Sequence, residues 1–166
     1  KGAVTGLTVR VAAASTMREL ANRIDGQTPD KARKSASGAF DVMAVEGAQV
    51  PYAIPNIAID HFPVAMPMST GPWRGLANSY NCFFVEGFID ELAHKAGVEP
   101  LSFRMQMLVG QTRLARCLTR VAAMAGWDGG IENSGKGLAC HARPEQALAM
   151  ACNLGRARSG QIQIGR

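Results

Sequence analysis

The sequence predicts an α+β fold: a mixed sheet with a layer of about three helices across the middle of the chain. Three observations carry this. Leu7 to Val11 alternate apolar and polar side chains, the period of a half-buried strand. From about Asn81 to Ala125, apolar residues recur at helical spacing in three successive runs, each with its own start or stop signal. The closing stretch, Gly160 to Arg166, alternates again. Strand, helix, strands, three helices and strands is the order of a helical layer laid on a sheet.

Each element has a local reason. After the first strand, Ser15 is placed as N-cap of a helix over Thr16 to Ile24, with Glu19 one position late for a capping box and Gly26 as the stop. Residues 26–40 are polar and are expected to be mobile. Prolines at 51, 55, 63 and 67 then break the chain into short apolar pieces, of which Ile57 to Ile59 and Val64 to Met66 read as strands.

The first middle helix runs from about Asn81 to Ala96 with Val85, Phe88, Ile89, Leu92 and Ala96 on one stripe and Gly97 ending it. The second opens at Pro100, a favoured first position, and runs to about Leu108, with Leu101, Met105 and Leu108 on one face. The third takes Thr112 as N-cap, buries Leu114, Leu118, Val121 and Ala125, and stops at Gly126-Trp127. A Gly-rich loop follows, without the GxxxxGK[ST] order of a phosphate-binding loop. Residues 136–142 and 146–155 suit strand or helix, and the final strand is expected to have nothing to pair with it. The organisation is one partial domain over 1–166. It comprises a strand-rich part at 1–70, a turn and three helices at 71–127, and the Gly-rich loop and terminal strands at 128–166.

Composition narrows the function. Apolar residues at 47% and charged residues at 19% mark a globular chain. The net charge of +5 is spread out, with Lys31, Arg33 and Lys34 the one tight run and no aromatics interleaved, which argues against nucleic-acid binding. Cys82, Cys117, Cys140 and Cys152 lack metal-ligand spacing. No run is long enough to span a membrane, and no signal peptide precedes the first strand. The start at Lys1-Gly2 without Met is that expected of a fragment or a processed product.

Few residues point to chemistry. His61, His94 and His141 lie far apart, and Cys140-His141, as neighbours on a strand, would face opposite ways. His94 suits the negative end of a helix dipole. Glu86 sits among Phe83, Phe84, Val85 and Phe88, so its carboxylate needs a partner, and Arg74 or Arg104 could supply one. Asp90, four residues on, shares its face; the two acids would hold a cation or face solvent, and a buried structural ion pair is preferred for Glu86 over catalysis.

The turn Trp73-Arg74-Gly75 is the best candidate site. Gly75 lets another group approach the backbone, nearby N–H groups just before a helix suit an anion, and Arg74 adds a fixed fork of donors. The alternative is a packed turn with Trp73 plugging the core.

The block from Gly71 to Leu108 resembles the molybdopterin-binding large subunit of the xanthine dehydrogenase and aldehyde oxidase family, in the branch that includes the isoquinoline 1-oxidoreductase beta subunit. That family carries an Arg-Gly turn, a few small or polar residues, an acidic helix of the ExFIDELA kind and then G-x-x-P-x-x-x-R. Here these are Arg74-Gly75, Glu86 to Ala93, and Gly97, Pro100 and Arg104. The flanks, Tyr52 to Asn56, Leu114 to Leu118, Ala125 to Gly130 and Gly135 to His141, are similar to the same branch, so the likeness spans nearly the whole chain.

The resemblance implies an internal portion of such a subunit, with Trp73, Arg74 and Gly75 as contacts to a molybdenum–molybdopterin cofactor, a dinucleotide form included. It implies hydroxylation of carbon next to nitrogen in heteroaromatic rings, or oxidation of aldehydes, with oxygen from water. The partners implied are the rest of the large subunit, an iron–sulfur electron-transfer subunit and a small aromatic or aldehyde substrate. The parent's compartment stays open between bacterial cytoplasm and periplasm. Relatives often have Phe at the position of Trp73 or Ser at that of Gly75. The family's catalytic Glu lies in a Gly-Glu motif that this sequence does not contain, so no catalytic or metal-ligating residue is assigned. The chain alone is expected to be inactive and to hold no cofactor tightly. The alternative is a non-catalytic packing or partner-contact module of the same subunit.

Overall fold

The computed structural model describes residues 2–131, 134–156 and 162–164. The fold is α+β, with five α-helices and two small sheets among the described residues. The expected single mixed sheet is instead one parallel pair and one antiparallel sheet. The chain divides into two compact units. One is Val4–Gln49 with Ile54–Phe84, and the other is Lys1–Ala3 with Val50–Ala53 and Val85–Arg166. No described helix is long and apolar enough to cross a membrane.

In the first unit, strand β1 (Leu7–Ala13) pairs in parallel with β2 (Ile57–Pro63), in register from Leu7 opposite Ile57 to Ala13 opposite Pro63. Parallel neighbours need a crossover. It contains α1 (Thr16–Ile24), α2 (Pro29–Ala36) and a 3-10 turn at Val42–Val45. Ser15 occupies the N-cap position of α1 but makes no side-chain cap bond; its hydroxyl donates to Ala39 O instead. Asp41 does the capping, with Oδ2 accepting from Met17 N at 3.2 Å and Arg18 N at 3.3 Å.

A helix within 26–40 was not foreseen, and one expected strand does not form. The 26–40 segment carries a helix, because Pro29 supplies a preset first position and Ala32 and Ala36, one turn apart, give it a narrow buried face. Val64 to Met66 form no strand. The register reaches the end of β1 at Ala13 opposite Pro63, so after the bond from Val64 N to Ala13 O no backbone remains to pair with.

Helix α3 (Asn78–Ala96) starts three residues earlier than expected. The Asn81 side-chain amide donates to Ala44 O and Glu46 O, tying the start of α3 to the 3-10 turn.

In the second unit, α3 buries Val85, Glu86, Ile89 and Ala93, while Phe88 stays exposed. Gly97, at φ +67°, ends the helix as expected, with Val98 N bonded to Ala93 O. Helix α4 (Pro100–Met107) begins at the expected proline, capped by Glu99, and buries Phe103 and Arg104; Met105 is exposed. Helix α5 (Thr112–Met124) takes Gln111 and not Thr112 as N-cap, buries Leu114, Leu118 and Ala122, and closes at Gly126.

Strands β3 (Lys136–Arg143) and β4 (Gln146–Arg156) resolve the strand-or-helix ambiguity as an antiparallel hairpin. Strand β5 (Ile162–Ile164) is paired after all: it runs antiparallel to the end of β4, with Ile164 opposite Leu154. The rest of the expected terminal strand lies outside the described residues.

Candidate functional site

The Trp73-Arg74-Gly75 turn belongs to the first unit and faces outward. Trp73 is 85% exposed, so it does not plug the core. Arg74 and Gly75 are also exposed. The turn is closed by Leu76 N bonding Trp73 O at 2.9 Å, and Gly75 O accepts from both the backbone N–H and the side-chain amide of Asn78 at the start of α3. Gly75 has φ +88°, and a Cβ there would meet nothing nearer than Ser79 Cβ at 3.8 Å. The open side of this glycine lets a bulky group reach the backbone.

Beside the turn lies a cavity of about 240 Å³, walled by Trp73, Pro72, Leu76 and Tyr80 together with Met17 and Met43. Its lining holds no charged side chain. Among the described residues Arg74 forms no ion pair, and neither its N–H nor that of Gly75 meets a backbone acceptor. Arg74 and Gly75 lie in the chain between Trp73 and Leu76, two residues of the wall of this uncharged pocket, an arrangement suited to a group with an anionic end and an apolar or planar remainder.

The second unit answers the question of Glu86. Of the two arginines considered, Arg104 is the partner: its Nε donates to Glu86 Oε2 at 3.1 Å and its Nη2 to Glu86 O at 3.1 Å. Arg104 Nη1 bonds Asp90 Oδ1, so the cation held by the two acids is this guanidinium. Tyr52 OH donates to Glu86 Oε1 at 2.7 Å and Cys140 N donates to Oε2 at 2.8 Å. Burial opposes the charge on Arg104, but Glu86, Tyr52 and Asp90 outweigh it and raise its pKa. Burial, then the neighbouring Glu86 and Cys140, pushes the Tyr52 phenol far above its ordinary range. The network joins a helix, a loop and a strand, and three donors on its two carboxylate oxygens commit Glu86 to holding them together.

The histidines stand apart. His61 is buried, its Nδ1 accepting from Asp41 N at 3.1 Å and its Nε2 facing Ala13 O at 3.0 Å, which makes it a structural bridge between β2 and the crossover. Cys140 is buried and His141 half-buried on the opposite face of β3, as their adjacency requires. Burial and then Arg143 lower the His141 pKa.

Sequence reasoning missed four contributors. Tyr52 reaches Glu86 from 34 residues away. Glu99 caps α4 through Leu101 N, Ser102 N and the Ser102 hydroxyl, and also accepts from Trp127 Nε1 at 2.6 Å. Glu19 and Arg23 on α1 hold Thr70, just ahead of the candidate turn.

No protein-family model matches the chain, and no curated protein matches it significantly.

Proposed function

We propose that the chain forms one wall of the cofactor site in the large subunit of a molybdenum hydroxylase. The reading rests on the ordered match of Arg74-Gly75, the Glu86 to Ala93 helix, and Gly97, Pro100 and Arg104 to that family's pattern. The observation that carries it is the outward turn in which Gly75, at φ +88°, stands open beside an exposed Arg74 and the Trp73-walled cavity. A turn serving packing alone would bury its indole.

In this reading the Gly75 backbone would help to hold the cofactor. Arg74 supplies charge-assisted donors, and Trp73 forms part of the substrate wall. The cofactor, when bound, supplies oxygen-atom transfer from water to an aldehyde or to a ring carbon beside nitrogen, and an iron–sulfur subunit takes the electrons. Arg104 and Glu86 act in folding, fixing α3 against α4. The chain contributes no base, because it lacks the Gly-Glu motif. The test is the metal content and hydroxylase activity of the complete gene product, with the Arg74→Ala variant beside it. A second reading, a non-catalytic packing module of such a subunit, draws its support from Leu148 and Met150, which stand exposed on one face of the β3–β4 hairpin.

A further inference from the structure

The segment that delivers the turn has little of its own to hold it. Residues 64–69 are all exposed, as are Gly71 and residues 73–75. Among the described residues, no backbone–backbone hydrogen bond outside regular elements involves residues 65–72. One residue in between is tied down firmly, and it is Thr70.

Helix α1 holds it on three sides. The Thr70 N–H points at both Glu19 oxygens, at 3.2 and 3.1 Å, and the Thr70 hydroxyl donates to Oε2 at 2.7 Å. One helical turn later, Arg23 Nη2 donates to Thr70 O at 2.8 Å. Every polar group of Thr70 is thereby taken by one face of one helix. The arrangement is costly. Glu19 is a carboxylate only 3% exposed, and Arg23 Nε is buried without a hydrogen-bond partner. Two polar side chains are committed to a loop residue 51 and 47 positions away.

Thr70 is three residues from Trp73, and Pro72 between them has its φ fixed by its ring. We propose that Glu19 and Arg23 are positioning residues for the Trp73-Arg74-Gly75 turn: they fix Thr70, and through Pro72 they set where the Trp73 indole stands at the cavity wall and how the neighbouring Arg74 is presented. The role of the turn itself rests on the function proposed above; the ordering of the turn by Glu19 and Arg23 does not.

The test reads order at Trp73 without any cofactor. The chain has two tryptophans, so 5-fluorotryptophan labelling gives one fluorine resonance for Trp73 and one for Trp127, the latter an internal control. Glu19→Ala and Thr70→Val are expected to narrow and shift the Trp73 resonance towards that of a freely moving indole while Trp127 is unchanged. Glu19→Gln, which keeps one acceptor oxygen, is expected to fall between wild type and Glu19→Ala. A Trp73 resonance unchanged in folded Glu19→Ala overturns the proposal. Should Glu19→Ala disturb both resonances through unfolding, Arg23→Met and Thr70→Val decide: an unmoved Trp73 in both overturns it, and a Trp73-only change upholds it. A turn loosened by these variants in a gene product that takes up no molybdenum would leave the positioning role standing and remove the cofactor role.

Discussion

Arg104 Nε donates to Glu86 Oε2 at 3.1 Å with the two side chains 0% and 6% exposed, so the contact is an ion pair removed from water. Breaking a buried pair from one side strands a charge, at a cost of roughly 3–5 kcal/mol. Arg104→Ala is expected to lower unfolding stability by about that amount, measured by urea denaturation. Arg104→Lys should not rescue it, because a single ammonium cannot replace the fork that reaches Glu86, Asp90 and Pro100 O. The double variant Glu86→Leu/Arg104→Met should cost clearly less than the sum of its single changes; additivity would contradict a direct pair.

Glu99 caps α4 and holds the Trp127 indole. Glu99→Ala should cost about 1 kcal/mol for the lost cap and shift the Trp127 environment as well. A stability loss with no change at Trp127 would separate the two roles and contradict the shared carboxylate.

Acid should act on the two clamping carboxylates together. Burial would raise Glu19, but bonds from Thr70, the Arg23 charge and Ser69 hold it below its ordinary 4.5. Burial likewise opposes ionisation of Glu99, and Ser102, Leu101 N and Trp127 outweigh it to keep it below 4.5. A carboxyl depressed in the folded state contributes its stabilisation in full above its unfolded value and loses it as pH falls through the folded value. Stability should therefore decline as pH drops below about 4.5, and Glu19→Gln should flatten that decline. An equally steep acid slope in Glu19→Gln and wild type would count against the clamp.

Gly75→Ala should cost roughly 1 kcal/mol from its left-handed backbone alone, since the nearest atom to the new methyl is 3.8 Å away. Thermal unfolding reads this directly. Arg74→Ala, an exposed change, should leave stability within about 0.5 kcal/mol of wild type.

Much of this was legible in the sequence where the signal is local. The three middle helices followed from apolar spacing and from stops at Gly97 and Gly126, and the need of Glu86 for a cation followed from its apolar neighbours. Helix α2 was hidden because its buried face is just Ala32 and Ala36 within a polar run. The false strand at Val64 to Met66 has suitable side chains, yet its existence depended on where β1 ends. Nothing near Thr70 announces Glu19 or Arg23, and nothing near Glu86 announces Tyr52 or the N–H of Cys140, 54 residues on. Partners brought together by tertiary folding leave no periodic trace.

The proposed function stands most directly on one measurement: molybdenum in the complete gene product, purified as wild type and as Arg74→Ala. Stoichiometric molybdenum is expected in the wild type, with a clear loss in Arg74→Ala at unchanged thermal stability. A wild-type protein free of molybdenum, or an Arg74→Ala protein loaded as fully as wild type, would contradict the role given to this turn.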